Sequence, residues 1–127
     1  MRVICIPYND RELYSSFYKI KYAGPKEFLY YIKNASLIIT DSFHATAFAL
    51  NFNVPFYTLL RNELTEECNM NSRVIDILSF VNLEERLIKS EDDFPNEINM
   101  KIDFTNANRI IEDKRRNDIK FLKECIG

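Results

Sequence analysis

The chain has 127 residues, 46% of them hydrophobic and 28% charged, which is the size and mix of one globular domain able to bury a core. Its net charge of −2 and pI near 5.5 exclude an electrostatic footprint for nucleic acid. Only two glycines are present, Gly24 and Gly127, which excludes the glycine-rich phosphate loops, since those need several.

Val3 to Ile6 is a short apolar run stopped by Pro7 and predicts a buried strand. It is too short for the apolar core of a signal peptide. No run approaches the roughly 20 apolar residues of a membrane span, so no transmembrane segment is expected. Residues 10–22, rich in Tyr and Phe, fit a loop or an irregular helix equally. Gly24-Pro25 then punctuates the chain, and Lys26 to Asn34 predicts a helix with Phe28, Leu29, Tyr31 and Ile32 on its apolar face.

Ser36 to Thr40 predicts a second, fully buried strand. Asp41 and Ser42 are both good N-caps, so a helix is expected from Ser42 or Phe43 to about Asn51. Val54 to Leu60 reads as the third strand, and residues 61–70 as a polar connection. Asn71-Ser72 is expected to cap a helix from Arg73 to about Val81, with Val74, Ile77, Leu78 and Val81 at helical spacing. Leu87-Ile88 reads as a last short strand, Glu91 to Pro95 as an acidic loop, and Thr105 to about Glu124 as a charged helix. Strands and helices that alternate in this way predict an α/β chain: a single Rossmann-like domain over residues 1–127, its parallel sheet flanked by helices on both faces.

In open parallel sheets ligands bind at the carboxyl ends of the strands, where helices begin. The strongest such junction is Thr40-Asp41-Ser42-Phe43-His44-Ala45-Thr46. Free backbone N–H groups and the helix dipole make it a natural seat for a phosphate or carboxylate, and the hydroxyls of Ser42 and Thr46 can add donors. His44, the one histidine, falls in the first turn, where an imidazole can pair with an anion or pass a proton near neutral pH. A lone histidine also fits an ordinary surface or core position. Arg73, expected in the first turn of the next helix, and Arg61, just past the third strand, come to the same edge; each can grip an anion bidentately or be a plain surface arginine.

Other constellations are weaker. Cys5, Cys68 and Cys125 are widely spaced and without histidine partners, which reads as reduced, buried thiols and not as a zinc site. No metal ligand set is expected; Glu91-Asp92-Asp93 reads as a solvated loop. Tyr14, Phe17, Tyr18, Tyr22, Tyr30 and Tyr31 can stack on sugars or cover a core. No Gly-x-Ser-x-Gly elbow is present.

Gly24 to Ala35 followed by Ile38-Ile39-Thr40-Asp41-Ser42-Phe43-His44-Ala45-Thr46-Ala47-Phe48, then Val54-Pro55-Phe56, Asn71 to Leu78 and Leu83 to Arg86, resembles the C-terminal part of the polysaccharide pyruvyl transferase family. The resemblance spans roughly residues 24–88. It implies the C-terminal half of a GT-B-type fold, two Rossmann-like domains facing across a cleft. It further implies transfer of pyruvate from phosphoenolpyruvate to paired hydroxyls of a saccharide or lipid-linked saccharide acceptor, forming a ketal and releasing phosphate in surface polysaccharide synthesis. By the same resemblance His44 takes the donor-binding and acid/base role, and Ser42 and Arg73 contact the phosphate; Phe43, Thr46 and Arg61 complete the candidate substrate-binding set by their place at the same edge. No cofactor is implied beyond phosphoenolpyruvate as donor substrate. The family commonly has glycine after the histidine, where this chain has Ala45.

A whole family member needs another domain ahead of this one, so a missing N-terminal domain or a partner chain is implied, and little activity is expected of this part alone. A cytoplasmic location follows from the donor being a cytosolic metabolite, with peripheral membrane association through a lipid-linked acceptor. Two further readings stand beside this one. One is a GT-B glycosyltransferase half that binds a nucleotide sugar, and the other a catalytically silent binding or assembly module.

Overall fold

The computed structural model describes residues 3–6, 23–61 and 68–127. The chain divides into two units, Met1–Tyr31 and Ile32–Gly127. In the first, residues 3–6 form no strand: Val3 is 52% and Ile4 37% exposed, and no described strand pairs with them. An apolar run becomes a strand only where a neighbour takes its backbone hydrogen bonds. Cys5 is likewise exposed, against the expectation of buried thiols, and so is Cys125. Tyr14, Phe17, Tyr18, Tyr22 and the ambiguous stretch 10–22 lie outside the described residues.

Helix α1 (Pro25–Asn34) starts with proline at its first position, where the missing N–H costs nothing. Ile32 is buried, while Phe28, Leu29 and Tyr31 are half-buried and Tyr30 is exposed, as the expected apolar face requires.

Among the described residues the second unit is built on three parallel strands, β1 (Ile38–Thr40), β2 (Phe56–Leu59) and β3 (Leu87–Ile88), in the order β1-β2-β3. Helices α2 (Phe43–Phe52) and α3 (Cys68–Phe80) make the two crossovers, and α4 (Thr105–Ile126) follows β3. An in-order parallel sheet with crossovers of one hand puts both connecting helices on one face, and α2 indeed packs on α3. Phe56 and Thr58 look toward this face, with Phe56, Thr58, Ala49, Leu50, Val74, Leu78 and Val81 buried between the layers. Burying each large apolar side chain contributes about 1.5–3 kcal/mol.

Helices were expected on both faces. At Tyr57, which points the opposite way, the cover is instead an irregular segment after β3. The Arg86 guanidinium sits 4.8 Å from the centre of the Tyr57 ring, Phe94 packs on that ring, and the Asn99 N–H donates to the Tyr57 hydroxyl. Arg86, only 5% exposed, also donates to the Asn99 and Lys101 carbonyls at 2.7 and 2.6 Å, so its charge is satisfied without a carboxylate. Ile39, paired in register with Tyr57, is 48% exposed, so β1 is buried on one face only and not on both as expected.

The helix ends explain how a chain so poor in glycine turns its corners. Asn53 (φ 56°) and Asn82 (φ 58°) take the left-handed conformation after α2 and α3. In each case the next residue's N–H reaches back across the turn, from Val54 to the Ala49 carbonyl and from Leu83 to the Leu78 carbonyl. With the asparagines' own N–H bonds, Asn53 to the Leu50 carbonyl at 3.4 Å and Asn82 to the Ser79 carbonyl at 3.2 Å, these close Schellman-type caps, with asparagine where glycine is usual. At the start of α4 the Asp103 carboxylate accepts from the Thr105 N–H at 3.0 Å, and its hydrogen bonds with Thr105 hold that carboxyl below its ordinary value.

α3 begins at Cys68, earlier than expected. Asn71 and Ser72 lie inside it and do not cap it, and Arg73 falls in its second turn. Residues 62–67 of the preceding connection lie outside the described residues. Beyond Ile111 every residue of α4 is exposed, including Ile119, Phe121, Leu122 and Ile126. Among the described residues no helix is long and apolar enough to cross a membrane.

Candidate functional site

β1 ends at Thr40, and the chain turns through Asp41 and Ser42 into α2. Ser42 is the N-cap, extended at φ −93° and ψ 128°, and its hydroxyl accepts from the Ala45 N–H at 3.3 Å. Its own N–H donates to the Thr40 hydroxyl at 3.0 Å, and its carbonyl receives both the N–H and the hydroxyl of Thr46. The turn is thus held by short side chains from within, which is what serine and threonine supply at a helix start.

Four N–H groups at a helix start lack intrahelical partners. Here the Ser42 donor is satisfied by the Thr40 hydroxyl and the Ala45 donor by the Ser42 hydroxyl. The N–H groups of Phe43 and His44 have no acceptor among the described residues. They stand at the positive end of the α2 dipole, where an anion is favoured. The His44 side chain is exposed beside them, its ring edge-on to the half-buried Phe43 ring at 5.8 Å between centroids. Ser42 keeps its hydroxyl proton for a further acceptor, since as cap it only accepts.

Thr46 was expected to contact substrate. It is instead wholly buried and turned to the sheet, where its hydroxyl lies 2.8 Å from that of Thr58. The proton of Thr46 goes to the Ser42 carbonyl, so Thr58 donates to Thr46. Thr46 therefore props the turn from beneath. Ala45 is buried in regular helix, a backbone that does not need the family's glycine.

Arg61 reaches the same turn from the next strand. Its Nε donates to one Asp41 carboxylate oxygen at 2.9 Å and its Nη2 to the other at 3.3 Å, so a bidentate pair stands one residue ahead of the cap. The side chains are 17% and 52% exposed, which limits the pair to about 1 kcal/mol or less. Arg61 is also gripped by its backbone: its N–H donates to Asn71 Oδ1 at 3.0 Å, and Asn71 Nδ2 donates to its carbonyl at 2.7 Å. Asp41, Ser42, Phe43, His44 and Arg61 are thereby brought together at the carboxyl edge of the sheet. Arg73 is not brought into this network; it is exposed on α3.

Sequence reasoning treated Asp41 and Asn71 only as helix caps. A signal for Asp41 was present. The register pairs Thr40 with Thr58, so opposite charges just past the ends of two neighbouring strands can meet. Nothing local marked Asn71, because its partner lies ten residues away across a connection. Among the described residues no cluster of three or more His, Cys, Asp or Glu side chains is placed to hold a metal ion.

Neither a curated protein nor a solved structure matches the chain. A family model does, described as Polysaccharide pyruvyl transferase and matched by residues 3–63. That stretch contains the whole turn from Thr40 to Thr46 together with Arg61, and stops short of Asn71 and Arg73. Residues 3–63 of this chain thus carry the likeness to the polysaccharide pyruvyl transferase family.

Proposed function

We propose that this chain binds phosphoenolpyruvate at the start of α2 and serves as the donor-side part of a pyruvyl transferase acting on a saccharide. The observation that carries the reading is the pair of unengaged N–H groups at Phe43 and His44, just past the Asp41 that Arg61 grips, inside the segment the family model matches. Two amide donors, the Ser42 hydroxyl and the Arg61 guanidinium supply the contacts a phosphate needs. Arg73 is the outlying member of the proposed donor-binding set, and Thr46 serves it only by supporting Ser42.

In this reading the imidazolium of His44 gives its proton to the methylene carbon of phosphoenolpyruvate. That makes C2 electrophilic, and an acceptor hydroxyl adds to it and loses its proton to base. Phosphate then leaves with the C2–O bond electrons, and the second hydroxyl closes the ketal as it gives up its own proton. The role of the helix start is to stabilise charge on the departing phosphate, a contribution that grows as the bond breaks.

The same reading takes residues 1–127 as one Rossmann-like domain, the C-terminal half of a GT-B-like pair. The acceptor, free or lipid-linked, sits on another domain or partner chain in the cytoplasm or at its membrane face, and no cofactor takes part. With a single histidine the test is direct: the His44 imidazole NMR signals are followed while ligand is added to the full chain. Phosphoenolpyruvate should move them and UDP or GDP should not. Movement by the nucleotides alone would replace this reading with a nucleotide-sugar one, and silence to all of them would leave a binding module.

A further inference from the structure

We infer that Asn71 is a positioning residue for the anion site, acting through Arg61. The inference deepens the proposed function and rests on it only for the identity of the anion. β2 is held by β3 as far as Leu60, whose N–H donates to the Ile88 carbonyl at 3.0 Å. Arg61 is the first residue past that ladder, and a chain leaving a sheet has a backbone donor and a backbone acceptor to satisfy. Asn71 meets both at once, at 3.0 and 2.7 Å. A primary amide carries one acceptor and a donor side by side, so it pairs with a peptide as a neighbouring strand would.

The effect is to lengthen the ordered part of β2 by one residue, and that residue is Arg61. With its backbone fixed, its side chain is launched in one direction, toward Asp41 beside the Ser42 cap, and both guanidinium contacts form there. Aspartate in place of Asn71 would keep the acceptor for the Arg61 N–H but set a second acceptor against the Arg61 carbonyl. Serine or alanine would reach neither partner in the same way. Asn71 touches no reacting group; its influence passes through the aim of the arginine.

The test uses the full chain with Asn71→Ala, Asn71→Asp, Arg61→Gln and the double variant Asn71→Ala/Arg61→Gln. The first readout needs no ligand: the Arg61 Nε–H cross-peak should be sharp and slowly exchanging in the parent chain, and should collapse toward the position of a solvated arginine in Asn71→Ala. Affinity for phosphoenolpyruvate should fall roughly tenfold, the scale of one lost charge-assisted contact. No further fall should follow from Asn71→Ala once Arg61 is Gln, because the two act as one unit. Losses that add in the double variant, or an unchanged Arg61 cross-peak, would overturn the inference and leave Asn71 as a loop closure. Should Asn71→Ala not fold, Asn71→Asp carries the same comparison. A parent chain deaf to phosphoenolpyruvate, whose Arg61 cross-peak still collapses in Asn71→Ala, would sink the pyruvyl reading and uphold the positioning role.

Discussion

Thr46 is wholly buried, yet its hydroxyl keeps two groups in order: it donates to the Ser42 carbonyl, accepts from Thr58, and so ties the cap of α2 to the middle of β2. Thr46→Val preserves shape but leaves the Thr58 hydroxyl buried without an acceptor. The expected loss is about 1–3 kcal/mol, read as a lower urea midpoint with an unchanged m-value. A loss of only a few tenths would mean that the hydroxyl pair anchors nothing. At this scale the sequence marked the turn that opens α2 but could not sort its side chains. Ser42, His44 and Thr46 all sit in the first turns of one helix, and only the packing of that helix on β2 tells which side meets the sheet and which meets solvent. The same blindness hid Arg86, whose partners are backbone carbonyls and an aromatic face, neither of which has a signature in sequence.

Elements were legible where a hydrophobic period or a cap announced them. Ser42 begins α2 as a serine before an apolar helix should, and the Val74, Ile77, Leu78, Val81 spacing marks the inward stripe of α3 and the buried residue just past its end. The start of α3 was misread because Asn71 and Ser72 are as typical of a cap as of a helix that uses the asparagine elsewhere. Helix ends were muted by the scarcity of glycine, since asparagine takes the left-handed position at Asn53 and Asn82. Asn53→Ala should cost about 1 kcal/mol by forcing a side chain with no local hydrogen bonding into that region, whereas Asn53→Gly should hold or raise stability. Paired thermal melts of the two variants decide it, and equal losses in both would show that the asparagine side chain, not the backbone angle, matters there.

For the whole chain, alternation of strand and helix was enough to give a parallel α/β sheet, but it named no strand order; among the described residues three strands stand in sequence order. The run Val3 to Ile6 misled, since apolar residues in a row do not say whether a partner strand exists. The cover at Tyr57 was equally unreadable, because an irregular segment pinned by Arg86 has no period to detect. What the topology does next is set a timetable. Both crossovers are local, and the Thr46–Thr58 bond lies wholly inside the β1–α2–β2 stretch, so the turn that carries Ser42, Phe43 and His44 can close before β3 or α4 finds its place. In stopped-flow refolding, Thr46→Val should therefore slow folding by nearly its full equilibrium loss and leave unfolding almost untouched. The opposite split would make the turn a late arrival. On the expected split the turn at the start of α2 acquires its shape early, while much of the chain around it is still searching.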